Sequence, residues 1–204
     1  MREKEEQRYG RNKETQVDKK YLESGEFRKK FDGISDSENL NRLLYQLAKK
    51  MLFHRAGTKF EDMYWISPNN YQVLAQETET DIEKKVLNSS KTKQIIKDNP
   101  NLITIHSHPD SFPPSIEDFN SNYENKYGLG IVVTHSGIVY MYSSQEHIEP
   151  VYYKLKVDEY YLEGYNESES QIKALEYCMS HFDIYFKEVT CDARRGNGYV
   201  LRRW

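Results

Sequence analysis

From Ser37 onward the chain alternates between two hydrophobic periods. Leu40, Leu43, Leu44, Leu47 and Met51 recur three and four residues apart, which predicts an amphipathic helix over 37–54, ending near Gly57. Two runs rich in aromatic and aliphatic residues, 62–67 and 71–76, flank Pro68-Asn69-Asn70 and predict a pair of strands joined by a turn. Residues 80–88 fit neither period. A short helix over 88–98, stopped by Asn99-Pro100, precedes an apolar strand at 102–107. A helix over 115–127 is released at Gly128-Leu129-Gly130 into a strand at 130–134, and His135-Ser136-Gly137 turns that strand into its partner beginning at Ile138. Beyond Pro150, helices over 150–164 and 167–182 break at Gly164 and lead to a short strand at 184–189. Ile172, Leu175, Cys178, Met179 and Phe182 form the packing face of the second.

The two ends read differently. Residues 1–36 are dense in charges of both signs and punctuated by Gly25 and Gly33, the pattern of a solvated arm or short charged helix. Residues 191–204, with Arg194-Arg195-Gly196 and Arg202-Arg203-Trp204, resemble no core element and read as a flexible tail. Between them lie a core at 37–146 and a helical extension at 147–190 that packs on it. The order of helices and strands predicts an α/β fold, a mixed sheet with helices against it.

Composition narrows the function classes. The chain has 204 residues, enough to bury a core without disulfide staples, and its 17 tyrosines supply wide apolar rings where large aliphatics are few. A net charge of -3 and the absence of a clean basic stripe disfavour nucleic acid as a partner. No apolar h-region follows Met1 and no run reaches the length of a membrane span, so neither export nor a membrane is expected. The 2 cysteines, Cys178 and Cys191, are widely separated and read as free thiols of a cytoplasmic protein.

The candidate chemistry lies in Ile105-His106-Ser107-His108-Pro109 and Ser115-Ile116-Glu117-Asp118. His106 and His108 end a predicted strand, where residues two apart share a face, so both imidazoles can reach one metal. A turn after Pro113-Pro114 into a helix starting at Ser115 brings Asp118 beside them as an oxygen ligand. Three protein ligands leave one position open, the pattern of a catalytic zinc, and two imidazoles with one carboxylate suit zinc better than magnesium or calcium. A His-x-His pair alone is commonplace and most often a polar surface pair. The following proline, the Ser-x-x-Asp and the preceding strand make the combination specific. Asp110 and Glu117 are the fallback oxygens. Ser115 reads as the N-cap of its helix. His135 reads as a tolerant turn residue, and His54, His147 and His181 carry no assigned chemistry.

These residues resemble the signature of the JAMM (MPN+, JAB-domain) zinc metallopeptidases, an upstream Glu followed by His-Ser/Thr-His-Pro and Ser-x-x-Asp. The match spans roughly residues 37–142 by motif and order. The spacer between His108 and Asp118, residues 109–117, is one residue shorter than is usual in that family. The resemblance implies a curved mixed sheet packed between helices, with cytidine-deaminase-like layering, and a Zn2+ cofactor. It implies a catalytic glutamate that takes a proton from the attacking water, and Glu61, at the mouth of the strand 62–67, is the best position. Asp62 is its neighbour and competitor, but it points to the opposite face and is shorter. It also gives Ser115 a second role, donation to the tetrahedral oxyanion. Tyr21 to Arg28 and His54 to Thr58 resemble the branch carried by prophages and mobile elements of Gram-positive bacteria. The expected function is hydrolysis of an amide or isopeptide bond in a protein or peptide, with phage structural proteins among the conceivable substrates. The competing expectation is a non-enzymatic phage assembly or scaffold module of the same fold, and a DNA-repair-associated branch is disfavoured by charge.

Overall fold

The computed structural model describes residues 15–191. The first part of the expected arm and the tail beyond Cys191 lie outside the described residues. The elements run α1 (Lys19–Leu22), α2 (Gly25–Phe31), α3 (Glu38–Arg55), β1 (Met63–Ile66), β2 (Val73–Glu77), α4 (Ser90–Asp98), β3 (Ile103–His108), α5 (Ile116–Glu124), β4 (Leu129–Thr134), β5 (Val139–Ser144), α6 (Pro150–Leu162), α7 (Glu167–Met179) and β6 (Ile184–Glu188). They form an α/β fold around a six-stranded mixed sheet of order β2-β1-β3-β4-β5-β6.

Only β3 and β4 are parallel among these strands; β1–β2, β1–β3, β4–β5 and β5–β6 are antiparallel. A parallel pair needs a crossover, and α5 supplies it. Period-two alternation divides the sheet's side chains between two cores. Ile103, Ile105, Ile131, Val133, Val139 and Met141 join Leu40, Leu44 and Met51 of α3 in one. Val132, Tyr140, Tyr142 and Phe186 join Ile116 and Phe119 of α5 with Leu175 and Cys178 of α7 in the other. Trp65, Ile96, Leu102 and Tyr127 form a smaller third cluster beneath α4, and the Trp65 indole N–H donates to the Tyr127 hydroxyl at 2.9 Å. Among the described residues no helix is long and apolar enough to cross a membrane.

Residues 15–36 carry two short helices, the helical alternative of the expectation, but these are packed on the core and are not a solvated arm. Leu22, Phe27, Phe31 and Ile34 are buried against α3, and the Phe27 and Phe31 rings meet edge to face at 5.3 Å. Asp18 and Ser24 cap the two short helices, which turns the charged residues outward and the four apolar ones inward. Charge density along the sequence hid a sparse but sufficient apolar face.

His135 stands in the β4–β5 turn as expected, but it is buried: its Nδ1 lies 2.8 Å from the Thr15 carbonyl and its backbone N–H donates to the His108 carbonyl at 2.9 Å. A segment 120 residues away in sequence covers it. Cys178 is buried as expected of a packing residue, and burial pushes its thiol up to about 11.

Gly130 pairs directly with Tyr142 across β4 and β5, and the Tyr142 ring lies over it. A Cβ at this position would stand 2.2 Å from the ring. The ring is also in contact range of Phe119, with centroids 5.1 Å apart, so it has little room to retreat. Gly130→Ala is therefore expected to destabilise the protein by about 1–3 kcal/mol, read from the denaturant midpoint at constant slope; an unchanged midpoint contradicts this packing.

Candidate metal centre

β3 is buried along its whole length, and its last residues carry the imidazoles. His106 and His108 project from the sheet face covered by α5, while Ser107, between them, faces α3. The crossover from β3 into α5 brings the first turn of that helix to the carboxyl end of the strand, the place where open α/β sheets gather ligands. Pro113 and Pro114 precede the Ser115 N-cap, and Asp118 occupies the third helical position.

The three side chains converge. His106 Nε2 and His108 Nε2 are 3.1 Å apart, His106 Nε2 is 3.3 Å from Asp118 Oδ1, and His108 Nε2 is 3.5 Å from Asp118 Oδ2. Ligands about 2.0–2.1 Å from a tetrahedral ion stand roughly 3.3–3.4 Å from one another, so this triangle matches one face of such a shell. The chain's donor chemistry and spacing both fit a metal. His106, His108 and Asp118 are the described residues that form a possible metal-holding group of three or more.

The short spacer still delivers the carboxylate because Asp118 is anchored at the helix cap. The Ser115 backbone N–H and hydroxyl donate to Asp118 Oδ2 at 2.7 and 2.8 Å, and the Asp118 N–H donates to Ser115 Oγ at 3.2 Å. This reciprocal capping box fixes the side chain while Oδ1 faces His106. The fallback oxygens do not join this group. Asp110 pairs with Lys84 at 2.8 Å and accepts from the Phe112 N–H, and Glu117 lines the same cleft as His106 and Asp118 without belonging to the triangle.

Glu61 is buried two residues before β1. Met63 of β1 pairs with His106, and continuing that antiparallel register by two residues sets Glu61 opposite His108. The continuation is carried by Asp62 and Ser107: the Ser107 N–H donates to the Asp62 carbonyl at 3.1 Å and the Ser107 hydroxyl accepts from the Asp62 N–H at 3.0 Å. Asp62 points the other way, toward α3, where it meets Arg55 Nε at 2.5 Å and His54 Nδ1 at 2.7 Å. Glu61 shares a cleft of ≈ 440 Å³ with His106, Ser115, Asp118, Trp65, Tyr127 and Tyr142.

The electrostatics are those of a tightly held charge cluster. Burial pushes the Glu61 carboxyl upward, against the pull of His108 and His106. Burial also opposes charge on His108, but the Asp118 hydrogen bond and the Glu61 charge outweigh it and push that imidazole up to about 9. Burial opposes ionisation of Asp118 too, yet the two imidazoles hold it well below the usual carboxylate range.

Sequence reasoning missed Arg55 and His54 as the anchor behind Asp62, and the buried contacts of His135. It also missed Lys84, which reaches from the 78–89 loop to Asp110 and lies over the Phe112 ring at 5.6 Å. The pairing of Lys59 with Glu83 at 3.8 Å is a further charge contact of that loop. Comparison with known proteins gives no match: no family model, no curated protein and no solved structure is significantly similar.

Two outcomes follow from this geometry. Below about pH 9 the metal-free site holds a proton on His108 that an ion must displace, so metal affinity is expected to rise with pH, by up to about tenfold per unit, and to level off above pH 9. Calorimetric titration in buffers of different ionisation enthalpy checks both the affinity and the released proton; a pH-independent affinity contradicts it. Asp62→Ala leaves the buried Arg55 guanidinium without its carboxylate and is expected to cost about 3–5 kcal/mol in a denaturation experiment.

Proposed function

We propose that the chain is a zinc-dependent hydrolase of the JAMM type that cleaves an amide or isopeptide bond. The observation that carries this reading is the triangle of His106, His108 and Asp118 donor atoms, 3.1–3.5 Å on a side, with buried Glu61 lining the same cleft. Two imidazoles and one carboxylate with an open side favour zinc over magnesium or calcium. Zinc in such a site supplies a Lewis acid and lowers the pKa of water toward neutrality.

The remaining work falls to the chain's own residues. Glu61 takes a proton from the attacking water and returns it to the leaving nitrogen; a carboxyl whose pKa burial has raised holds that proton better than an exposed one. Ser115 fixes Asp118 through Oδ2. Its hydroxyl becomes a donor to a substrate oxyanion only by giving up that bond. Trp65, Tyr127 and Tyr142 make the cleft wall aromatic, which excludes water from one side of a bound peptide. The helix N-terminus under Asp118 favours the ionised carboxylate required of a ligand. A prophage or mobile-element setting, and a phage structural protein as substrate, rest on the sequence resemblance alone.

The test is hydrolysis of peptide and isopeptide substrates by metal-loaded protein, with Glu61→Gln as control. The variant is expected to keep its metal while the rate falls about 10²–10⁴-fold. A Glu61→Gln protein as active as the wild type, or no cleavage of either bond type, contradicts the proposal.

A further inference from the structure

Beside the metal centre lies a second groove of ≈ 530 Å³, lined by Lys93, Ile96, Lys97, Pro100, Glu124 and Lys126, with Asn88 shared between the groove and the cleft. Asn88 thus borders both recesses. Ile96 is the buried apolar residue of the groove lining, Pro100 is exposed, and three of the lining side chains are lysines. Lys93 and Lys97 are four residues apart on α4, so they stand on one face of that helix and repel one another. Lys126 is brought to them from the end of α5. None of these three lysines forms an ion pair among the described residues, unlike Lys84, Lys154 and Lys156. Glu124, the acid among the lining residues, lies 3.9 Å from His147 Nε2.

Backbone conformation adds a separate observation. Lys84, on the cleft, and Lys126, on the groove, both have positive φ, 53° and 54°. Lys126 follows the α5 C-cap Asn125, where glycine ordinarily takes the left-handed conformation without strain. Lys126 adopts this conformation at some cost in backbone energy and lines the groove.

We infer that this groove is a substrate subsite for an acidic peptide segment, whose Asp or Glu side chains reach Lys93, Lys97 and Lys126 while the scissile amide lies in the cleft at Glu61. The inference deepens the hydrolase reading and rests on it for the position of the amide. A peptide is favoured over a nucleic acid because the groove offers aliphatic contact and no aromatic ring for base stacking among its lining residues. The three cations line one groove, and exposed charge pairs that act weakly one at a time act usefully together.

The experiment is fluorescence anisotropy with the full chain carrying Glu61→Gln, using a labelled peptide rich in Asp and Glu, the same peptide with Asn and Gln in their places, and a single-stranded oligonucleotide of equal length. The acidic peptide is expected to bind about ten-fold tighter than its neutral counterpart, and to lose that advantage at high salt and in Lys93→Gln/Lys97→Gln/Lys126→Gln. Circular dichroism checks that this exposed triple variant keeps its fold. Equal binding of acidic and neutral peptides, an unaltered preference in the triple variant, or tighter binding of the oligonucleotide overturns the inference. Binding is read without turnover, so a failure of the hydrolase reading shows up separately, as absent cleavage by the wild type with the acidic preference intact.

Discussion

Burying two imidazoles and a carboxylate at the end of an otherwise apolar strand costs free energy unless each group finds a compensating partner. Here the compensation among the facing atoms is mutual: His106 Nε2, His108 Nε2 and the Asp118 carboxylate oxygens lie 3.1–3.5 Å from one another, Asp118 helps to raise the titration of His108, and the two imidazoles lower that of Asp118. That closeness requires α5 to begin where β3 ends, which in turn requires the parallel β3–β4 pairing and its crossover. The Ser115 cap fixes the one member of the cluster that does not come from β3. Sheet topology, helix capping and site chemistry are thus one constraint seen at three scales.

The two faces of the sheet divide the labour. On the α3 side, Asp62 is held between Arg55 and His54 and bonded through its backbone to Ser107, so the segment leading into β1 is fastened from behind. On the α5 side, the adjacent Glu61 is thereby presented to the cleft with no need of a hydrogen bond of its own to aim it. Arg55 also donates to the Thr78 carbonyl at 2.6 Å, which ties the start of the 78–89 loop to the same anchor. That loop's Lys84 then reaches Asp110 beyond β3. One network therefore sets both the candidate base and part of the cleft rim.

What was legible in the sequence is what short-range periodicity controls. The shared face of His106 and His108, the opposed directions of Glu61 and Asp62, the cap at Ser115 and the boundaries of α3 and β3 all follow from two- and 3.6-residue repeats and from capping chemistry. What escaped depends on residues distant in the chain. Phe27 and Phe31 are core only because α3 covers them, and His135 is buried only because Thr15 lies over it. Lys93, Lys97 and Lys126 share one groove only because the end of α5 lies beside α4. Charge-dense local composition pointed outward around Phe27 and Phe31, and tertiary contact decided otherwise there as it did at His135.

The central claim is that His106, His108 and Asp118 form a single metal site, and elemental analysis of protein purified without chelator or a histidine tag tests it most directly. The account predicts about one zinc per chain, lost in His108→Ala and in Asp118→Ala while circular dichroism shows the fold retained. A wild-type protein that takes up no zinc even after reconstitution, or variants that bind it as well as the wild type, would contradict it.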